Sequence, residues 1–341
     1  MVEAFNASSF SWRRFVWAGA IGAVAAFWLL LGFVVAVDPY DTGRYSLLRV
    51  AGLPAQTPRT ADASRGRDPV FDSAILGNSH VQLLSPAELS RLSGDAFVSL
   101  AVPGTGPREQ FVLLDYFLRT RESPPRALVI GIDPYWCRAD PAMTPWEPFP
   151  FWLYDRSDAT YLGGLIRDQS LDDSFKRISF ALGLSTRPRA RPDGYANYDE
   201  GLVWRPERNG ALLRERVPST IRNDGGFYPA LVALGERLSG LPDGTRVVLV
   251  RPPVFILALP EPGSDLDREE ERCRAALHAL TVGRPFVGFV DWRLDRPETR
   301  VPENFIDPTH YRSAIARAVE ADIASTLTRL SPKATATRPR D

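Results

Sequence analysis

The chain has few of the residues on which the most recognisable protein chemistries depend. It carries two cysteines, Cys137 and Cys273, in 341 residues. That excludes a disulfide framework, and with no CxxC pair it excludes a cysteine zinc site. The two thiols either bridge in an oxidising compartment or stay reduced and buried, and the second reading is favoured because spacing alone says nothing of their distance. There are three histidines, His80, His278 and His310, so histidine-dependent chemistry has a short list of candidates. There is no excess of charge: Lys+Arg and Asp+Glu are 41 each. Nothing then draws a polyanion, and no nucleic-acid partner is expected. The chain also lacks a GxxxxGKS/T loop, a GxGxxG after a strand and an HExxH helix. His80 and His278 have no carboxylate or thiol cluster around them, so neither a cofactor nor a metal is expected.

What is present begins with a long apolar run. Residues Phe15 to Val37 carry no charge, and as a helix they would extend about 34 Å, enough to cross a hydrocarbon core of about 30 Å. Arg13 and Arg14 precede the run and Asp38 follows it. The positive-inside bias puts residues 1–14 in the cytoplasm and everything after Asp38 on the far side of the inner membrane, in the periplasm or its equivalent. Trp12, Trp17 and Tyr40 stand where aromatic belts lie. A cleaved signal peptide is the competing reading, since Val34 and Ala36 make a passable cleavage pattern. The length of the run favours an uncleaved single anchor over that reading and over a buried helix of a soluble protein.

The rest of the chain holds enough apolar residues, 44%, for one large α/β domain with additions. Residues 38–68 are rich in Pro, Gly, Thr and Arg without periodicity and read as a linker. Apolar runs at Phe71–Leu76, Ala96–Val102, Ala127–Ile132, Val247–Val250 and Pro285–Val290 read as strands. Helix signals follow them: Ser85-Pro86-Ala87-Glu88 as a capped start, Arg108–Arg119 with a one-sided apolar face, Tyr228–Leu238, Glu269–Leu280 and a last helix after His310. The alternation predicts a mostly parallel five-stranded sheet with helices on both faces, in a domain covering 69–330. An aromatic and Pro-rich insertion interrupts it at about 138–226, and a polar tail, 331–341, follows. In such sheets ligands lie beyond the carboxyl ends of the strands, where Gly77-Asn78-Ser79-His80, Pro103-Gly104 and Asp133 fall.

Two of these segments could carry chemistry. A strand ending in Gly77 and turning into a helix exposes the Ser79 hydroxyl beside free backbone N–H groups, which suits a nucleophile near an oxyanion site. Read alone, Asn78 or Ser79 is more simply a helix cap. Asp307-Pro308-Thr309-His310 places a carboxylate and an imidazole three residues apart at a helix start, the pairing a serine nucleophile needs. Read alone, Asp307 is more simply a cap before Pro308.

Together they match a chain order. A serine after the first strand and an Asp-x-x-His before the last helix resemble the SGNH-hydrolase superfamily. The resemblance is in particular to its membrane-anchored branch acting on cell-surface polysaccharides, which includes alginate O-acetylation proteins and the teichoic-acid D-alanylation protein DltD. The resemblance covers roughly Phe71 to Ala324, the insertion matching poorly. It implies an SGNH-like, flavodoxin-like fold, Ser79 as nucleophile, Asp307 as orienting acid and His310 as general base. It implies an oxyanion hole from the Ser79 backbone and, through Val102-Pro103-Gly104, from Gly104. It also implies a polysaccharide or acylated glycan as substrate and a membrane-embedded acyl-donor partner. One block departs: Gly131-Ile132-Asp133-Pro134 puts an Asp where the family has an Asn donor. An ionised carboxylate accepts hydrogen bonds and does not donate them, so Asp133 is read as a substrate-holding residue or one that points away. Trp136, among the aromatics from Tyr135 to Tyr154, is a candidate for stacking on a sugar, although aromatics in loops more often build a satellite core. Arg187, Arg189 and Arg191 could meet an anionic glycan, and a solvated loop is the plainer reading.

Two functions remain open on these residues. One is serine-dependent acyl transfer, as ester hydrolysis or O-acetyl transfer, on an exported polysaccharide. The other is an inactive descendant that binds glycan or scaffolds an export complex.

Overall fold

The computed structural model describes residues 11–48, 52–142, 147–216, 223 and 225–330. The first ten residues of the expected cytoplasmic segment, Trp146 and the expected tail 331–341 lie outside the described residues. In chain order the elements begin with helix α1 (Trp12–Val37), α2 (Pro58–Arg67), strand β1 (Ser73–Gly77), α3 (Pro86–Ser93), β2 (Phe97–Ala101), α4 (Pro107–Arg119) and β3 (Ala127–Gly131). They continue with α5 (Asp158–Leu165), α6 (Asp168–Ala181), α7 (Asn209–Leu212), α8 (Pro229–Ser239), β4 (Arg246–Arg251), α9 (Asp265–Ala279) and β5 (Val287–Asp291). A short hairpin of β6 (Phe305–Asp307) and β7 (His310–Tyr311) leads into α10 (Ser313–Leu330). The chain divides into two compact units, Met1–Pro54 with Asp155–Arg189, and Ala55–Tyr154 with Ala190–Asp341.

The larger unit is an α/β fold around five parallel strands in the order β2-β1-β3-β4-β5. Strands β1 to β4 are buried at every position, which is why their sequences are mostly apolar, Ser73, Ser99, Arg246 and Arg251 excepted: helical crossovers cover both faces. Ile75, Val129 and Val248 pack in one core with residues of α3 and α10 such as Leu89, Val319 and Ile323. Their neighbours Leu76, Ile130 and Leu249 point to the opposite face by the two-residue period, and α4 lies against β1. The strand order reverses between β1 and β3, so the loops leaving those two strands diverge and open a crevice at their carboxyl ends. Ser79 follows β1 and Asp133 follows β3.

Two expectations change here. Residues 38–68 are not a bare linker, because α2 starts at Pro58 after Thr57 and buries Arg59, Ala61, Asp62 and Ala63 against β2 and α4. Its buried face is alanine and an Asp62–Arg65 ion pair of 2.7 Å, which leaves no apolar period to read. Cys137 and Cys273 are joined, with Cα atoms 5.7 Å apart. The bridge ties the turn after β3 to α9, so the reading as two free thiols is replaced.

In the smaller unit α1 is long and apolar enough to cross a membrane, with a mean hydropathy of 2.5 over an 18-residue window. Residues 155–189, expected within the insertion, fold with this N-terminal segment. Immediately after α1 the Asp38 carboxylate accepts from Thr42 N (3.0 Å), Thr42 Oγ1 (2.9 Å) and Gly43 N (2.8 Å). Arg177 of α6 pairs with Asp41 at 2.8 Å, and Tyr40 Oη meets Ser170 Oγ at 3.3 Å. Thr42 Oγ1 meets Tyr161 Oη of α5 at 3.1 Å, and together these buried polar contacts bolt α5 and α6 to the end of α1.

Candidate active site

The backbone after β1 makes a turn that only glycine can begin. Gly77 has φ +153, and a Cβ there would run into Val81, which also fills the space above Gly131. The chain then enters a single 3₁₀ turn, Ser79–Val81, capped by Asn78, whose Oδ1 accepts from His80 N at 3.1 Å. This sharp reversal leaves the Ser79 side chain at the crevice, partly exposed.

The β6–β7 hairpin brings the second segment to it. His310 Nε2 lies 3.0 Å from Ser79 Oγ, and His310 Nδ1 lies 2.8 Å from Asp307 Oδ2. The other Asp307 oxygen accepts from Thr309 N (2.8 Å), Thr309 Oγ1 (3.1 Å) and His310 N (3.0 Å). Asp307 is therefore both the cap of this tight turn and the partner of the imidazole, so the two readings of it are compatible. Burial alone would raise its pKa; the hydrogen bond and charge of His310 and the two backbone donors outweigh that and hold it well below the ordinary carboxylate range. An ionised Asp307 accepts a hydrogen bond from Nδ1–H and keeps the proton on that nitrogen, which leaves the Nε2 lone pair facing the serine hydroxyl. Such a chain can take the proton from Ser79 as its oxygen attacks a carbonyl carbon.

Groups from the insertion enclose the imidazole. The Tyr198 ring stands edge-on to His310 at 5.8 Å, and its hydroxyl donates to Tyr311 O at 2.9 Å. His80 lies 5.2 Å from His310, ring to ring. Burial in the crevice, reinforced by the charges of His310 and Arg293, pushes its pKa down to about 3. His80 is thus neutral near pH 7 and does not oppose a developing charge on His310. Nothing in the spacing of Tyr198 pointed to this position; it comes from tertiary packing alone.

Beside the serine lies a cavity of about 310 Å³, lined among others by His80, Asp133, Tyr135, Arg138, Arg293 and Thr309. Asp133 is 4% exposed. One of its oxygens accepts from Tyr135 N at 2.7 Å and the other from Asn78 Nδ2. Burial raises its pKa to about 7, against the pull of those two donors and of Arg138 and Arg293. Asn78 Nδ2 also reaches Thr105 O at 3.4 Å, which draws the loop carrying Gly104 (φ +67) against the residue preceding Ser79.

Trp136 does not join the site. It is 1% exposed and packs edge-to-face on Phe111 at 5.2 Å, so it offers no face to a sugar, and the reading of it as a stacking platform is corrected. Phe149, Phe151 and Tyr154 likewise pack on one another, as a satellite core does. Of the three loop arginines, Arg191 is paired with Asp193 at 2.7 Å. No group of three or more metal-ligating side chains occurs among the described residues. Comparison with protein-family models and with characterised proteins returns no match to this chain.

Proposed function

We propose that this chain is an extracytoplasmic serine-dependent acyl-transfer enzyme acting on a polysaccharide. The observation that carries the reading is the continuous hydrogen-bonded chain from Ser79 Oγ through His310 to Asp307, at 3.0 and 2.8 Å. Ser79 Oγ attacks an ester carbonyl while His310 Nε2 takes its proton. The tetrahedral oxyanion collapses to an acyl-serine, and His310 returns the proton to the departing alcohol. Water or a sugar hydroxyl then attacks the acyl-serine, with His310 as base again, and Ser79 is regenerated. Backbone N–H groups at Ser79 and Gly104 serve the oxyanion. Asp133, its two oxygens turned toward Tyr135 N and Asn78 Nδ2, points no third donor at the oxyanion; such a loss costs about 3 kcal/mol of barrier, or about a hundredfold in rate.

Three features support the setting. The apolar α1 fits a single anchor in the inner membrane, and the Cys137–Cys273 bridge fits an oxidising compartment on its far side. A cavity of about 310 Å³ lies beside the serine, larger than an acetyl group alone needs. The likeness of the Ser79, Gly104 and Asp307–His310 segments to membrane-anchored SGNH proteins names acetyl as the group and a membrane-embedded donor as partner. The lack of an Asn-type donor at Asp133 favours one other reading, a catalytically silent glycan-binding scaffold.

Incubation of the full-length protein with p-nitrophenyl acetate, followed by acid quench and peptide mass analysis, separates the two. An acetyl group trapped on Ser79, with release of p-nitrophenol lost in Ser79→Ala, supports the enzyme. No acyl-serine in a folded protein that still retains glycan supports the scaffold. An acetylated glycan recovered at the expense of free acetate would assign the acceptor as sugar rather than water.

A further inference from the structure

Helix α6 is built inside out. Its buried positions are Ser170, Ser174 and Arg177, while Phe175 is 57% exposed and Leu182, seven residues on, is 67% exposed. Leu171 and Ile178, half-buried, stand between them at helical spacing. Ile166, in the turn from α5 to α6, is 54% exposed. A helix facing water has the opposite arrangement, so this apolar stripe faces something other than water.

The exposure of α1 identifies what. Every residue from Trp12 to Leu30 is exposed, and burial begins only with Leu31, reaching 4% exposure at Val34. Arg13 and Arg14 mark one edge of the span; from Phe15 to Leu30 the bare, uncharged stretch is about 24 Å long at 1.5 Å per residue, so a hydrocarbon core of about 30 Å reaches about four residues further, to the level of Phe33 and Val34. The hairpin of α5 and α6 is therefore attached where α1 leaves the core, and the ring contact of Phe33 with Phe175 at 5.3 Å fixes its level. A groove of about 190 Å³ joins the two surfaces, with Phe27, Leu30 and Val34 on the α1 side and Leu165, Ile166 and Leu171 on the other. Its α1 wall begins within the lipid-facing stretch, so what covers one wall continues over the other.

We propose that α5 and α6 form a second membrane-contacting element, lying in the interface where α1 emerges, with Ile166, Phe175 and Leu182 among lipid acyl chains and the groove filled by one of them. The contact is apolar rather than electrostatic. The charged residues of α6 are mainly acidic, Asp168, Asp172 and Asp173, and Lys176 is paired with the last two, so anionic headgroups are not required. The buried Arg177–Asp41 pair and the Asp38 turn hold the hairpin to the anchor, so it follows the depth of α1.

Full-length protein in phosphatidylcholine nanodiscs tests this, with single cysteines for nitroxide labelling at Leu29, Phe175, Leu182 and, as an aqueous reference, Val282, which is 68% exposed. All four side chains are more than half exposed, and the buried Arg177–Asp41 pair still holds the hairpin when the Phe175 ring is replaced. The native cysteines are bridged and do not react. The expected result is that collisions with oxygen are favoured over those with a water-soluble nickel chelate about tenfold more at Leu29, Phe175 and Leu182 than at Val282. Lipid exposure at Leu29 with water exposure at Phe175 and Leu182 would overturn the proposal. So would water exposure at Leu29 itself, which removes the span, or shielding of Phe175 only when a membrane-protein partner is added. None of these readouts depends on the chemistry at Ser79.

Discussion

Asn78 and Asp133 face each other directly behind the serine, the amide of one donating to the carboxyl of the other. Their pairing joins the ends of β1 and β3 at the point where the strand order reverses. It also explains why an acid at position 133 need not disturb a developing oxyanion: Asp133 is turned toward Asn78 and the Tyr135 backbone. The consequence falls on stability. With its pKa pushed up to about 7 by burial, folded Asp133 keeps a proton that the unfolded chain releases near pH 4. Folding therefore becomes less favourable as pH rises from about 4 to 7, and the loss levels off above that. Asp62 and Glu320, also raised to about 7 by burial, act in the same direction; Asp307, held low, acts oppositely and only below about pH 4. Asp133→Asn is neutral at every pH, so thermal melts at pH 5 and pH 8 should differ less in this variant than in wild type, by a few kcal/mol at most. An unchanged difference would show that Asp133 is not a buried acid.

Asp307→Asn separates the two duties of Asp307. An asparagine still accepts from Thr309 N and His310 N and preserves the turn, but it does not fix the proton on His310 Nδ1 in the same way. Turnover should fall by about three to four orders of magnitude while the melting temperature stays close to wild type. His80→Ala should retain most of the activity, since no carboxylate orients His80; equal losses in His80→Ala and His310→Ala would mean that the base has been misassigned.

The Cys137–Cys273 bridge closes a loop with a sequence separation of 136. Chain entropy values such a loop at up to about 5 kcal/mol. The double variant Cys137→Ala, Cys273→Ala should unfold at clearly lower denaturant, and wild type treated with reductant should follow it. Identical midpoints with and without reductant would place the two sulfurs apart in solution.

Trp136 tests the packing reading of the aromatic segment. Removal of its buried ring should cost about 3–5 kcal/mol in Trp136→Ala, whereas Trp136→Phe should keep the reactivity of Ser79 with a smaller loss of stability. Loss of glycan binding in a fully stable Trp136→Phe protein would return this residue to the site.

The sheet was legible in the sequence because buried parallel strands are mostly apolar runs, and β1, predicted over Phe71–Leu76, forms at Ser73–Gly77. The convergence of Ser79 with Asp307 and His310 was legible through chain order, since strand ends in a parallel sheet share one edge. Features held by polar burial were not. Helix α2 buries alanine and a charge pair, and α6 buries serine and arginine, so neither displays the apolar period by which a core helix is recognised. Tyr198 reaches His310 from a loop, and the disulfide joins residues whose separation along the chain says nothing of their distance in space.

The central claim is that His310 activates Ser79. Its most direct test is the rate at which a fluorophosphonate modifies the full-length protein, with the adduct located by peptide mass analysis. The account predicts one adduct, on Ser79, absent in Ser79→Ala and formed at least about a hundredfold more slowly in His310→Ala. An adduct on another residue, or a Ser79 rate indifferent to His310, would contradict it.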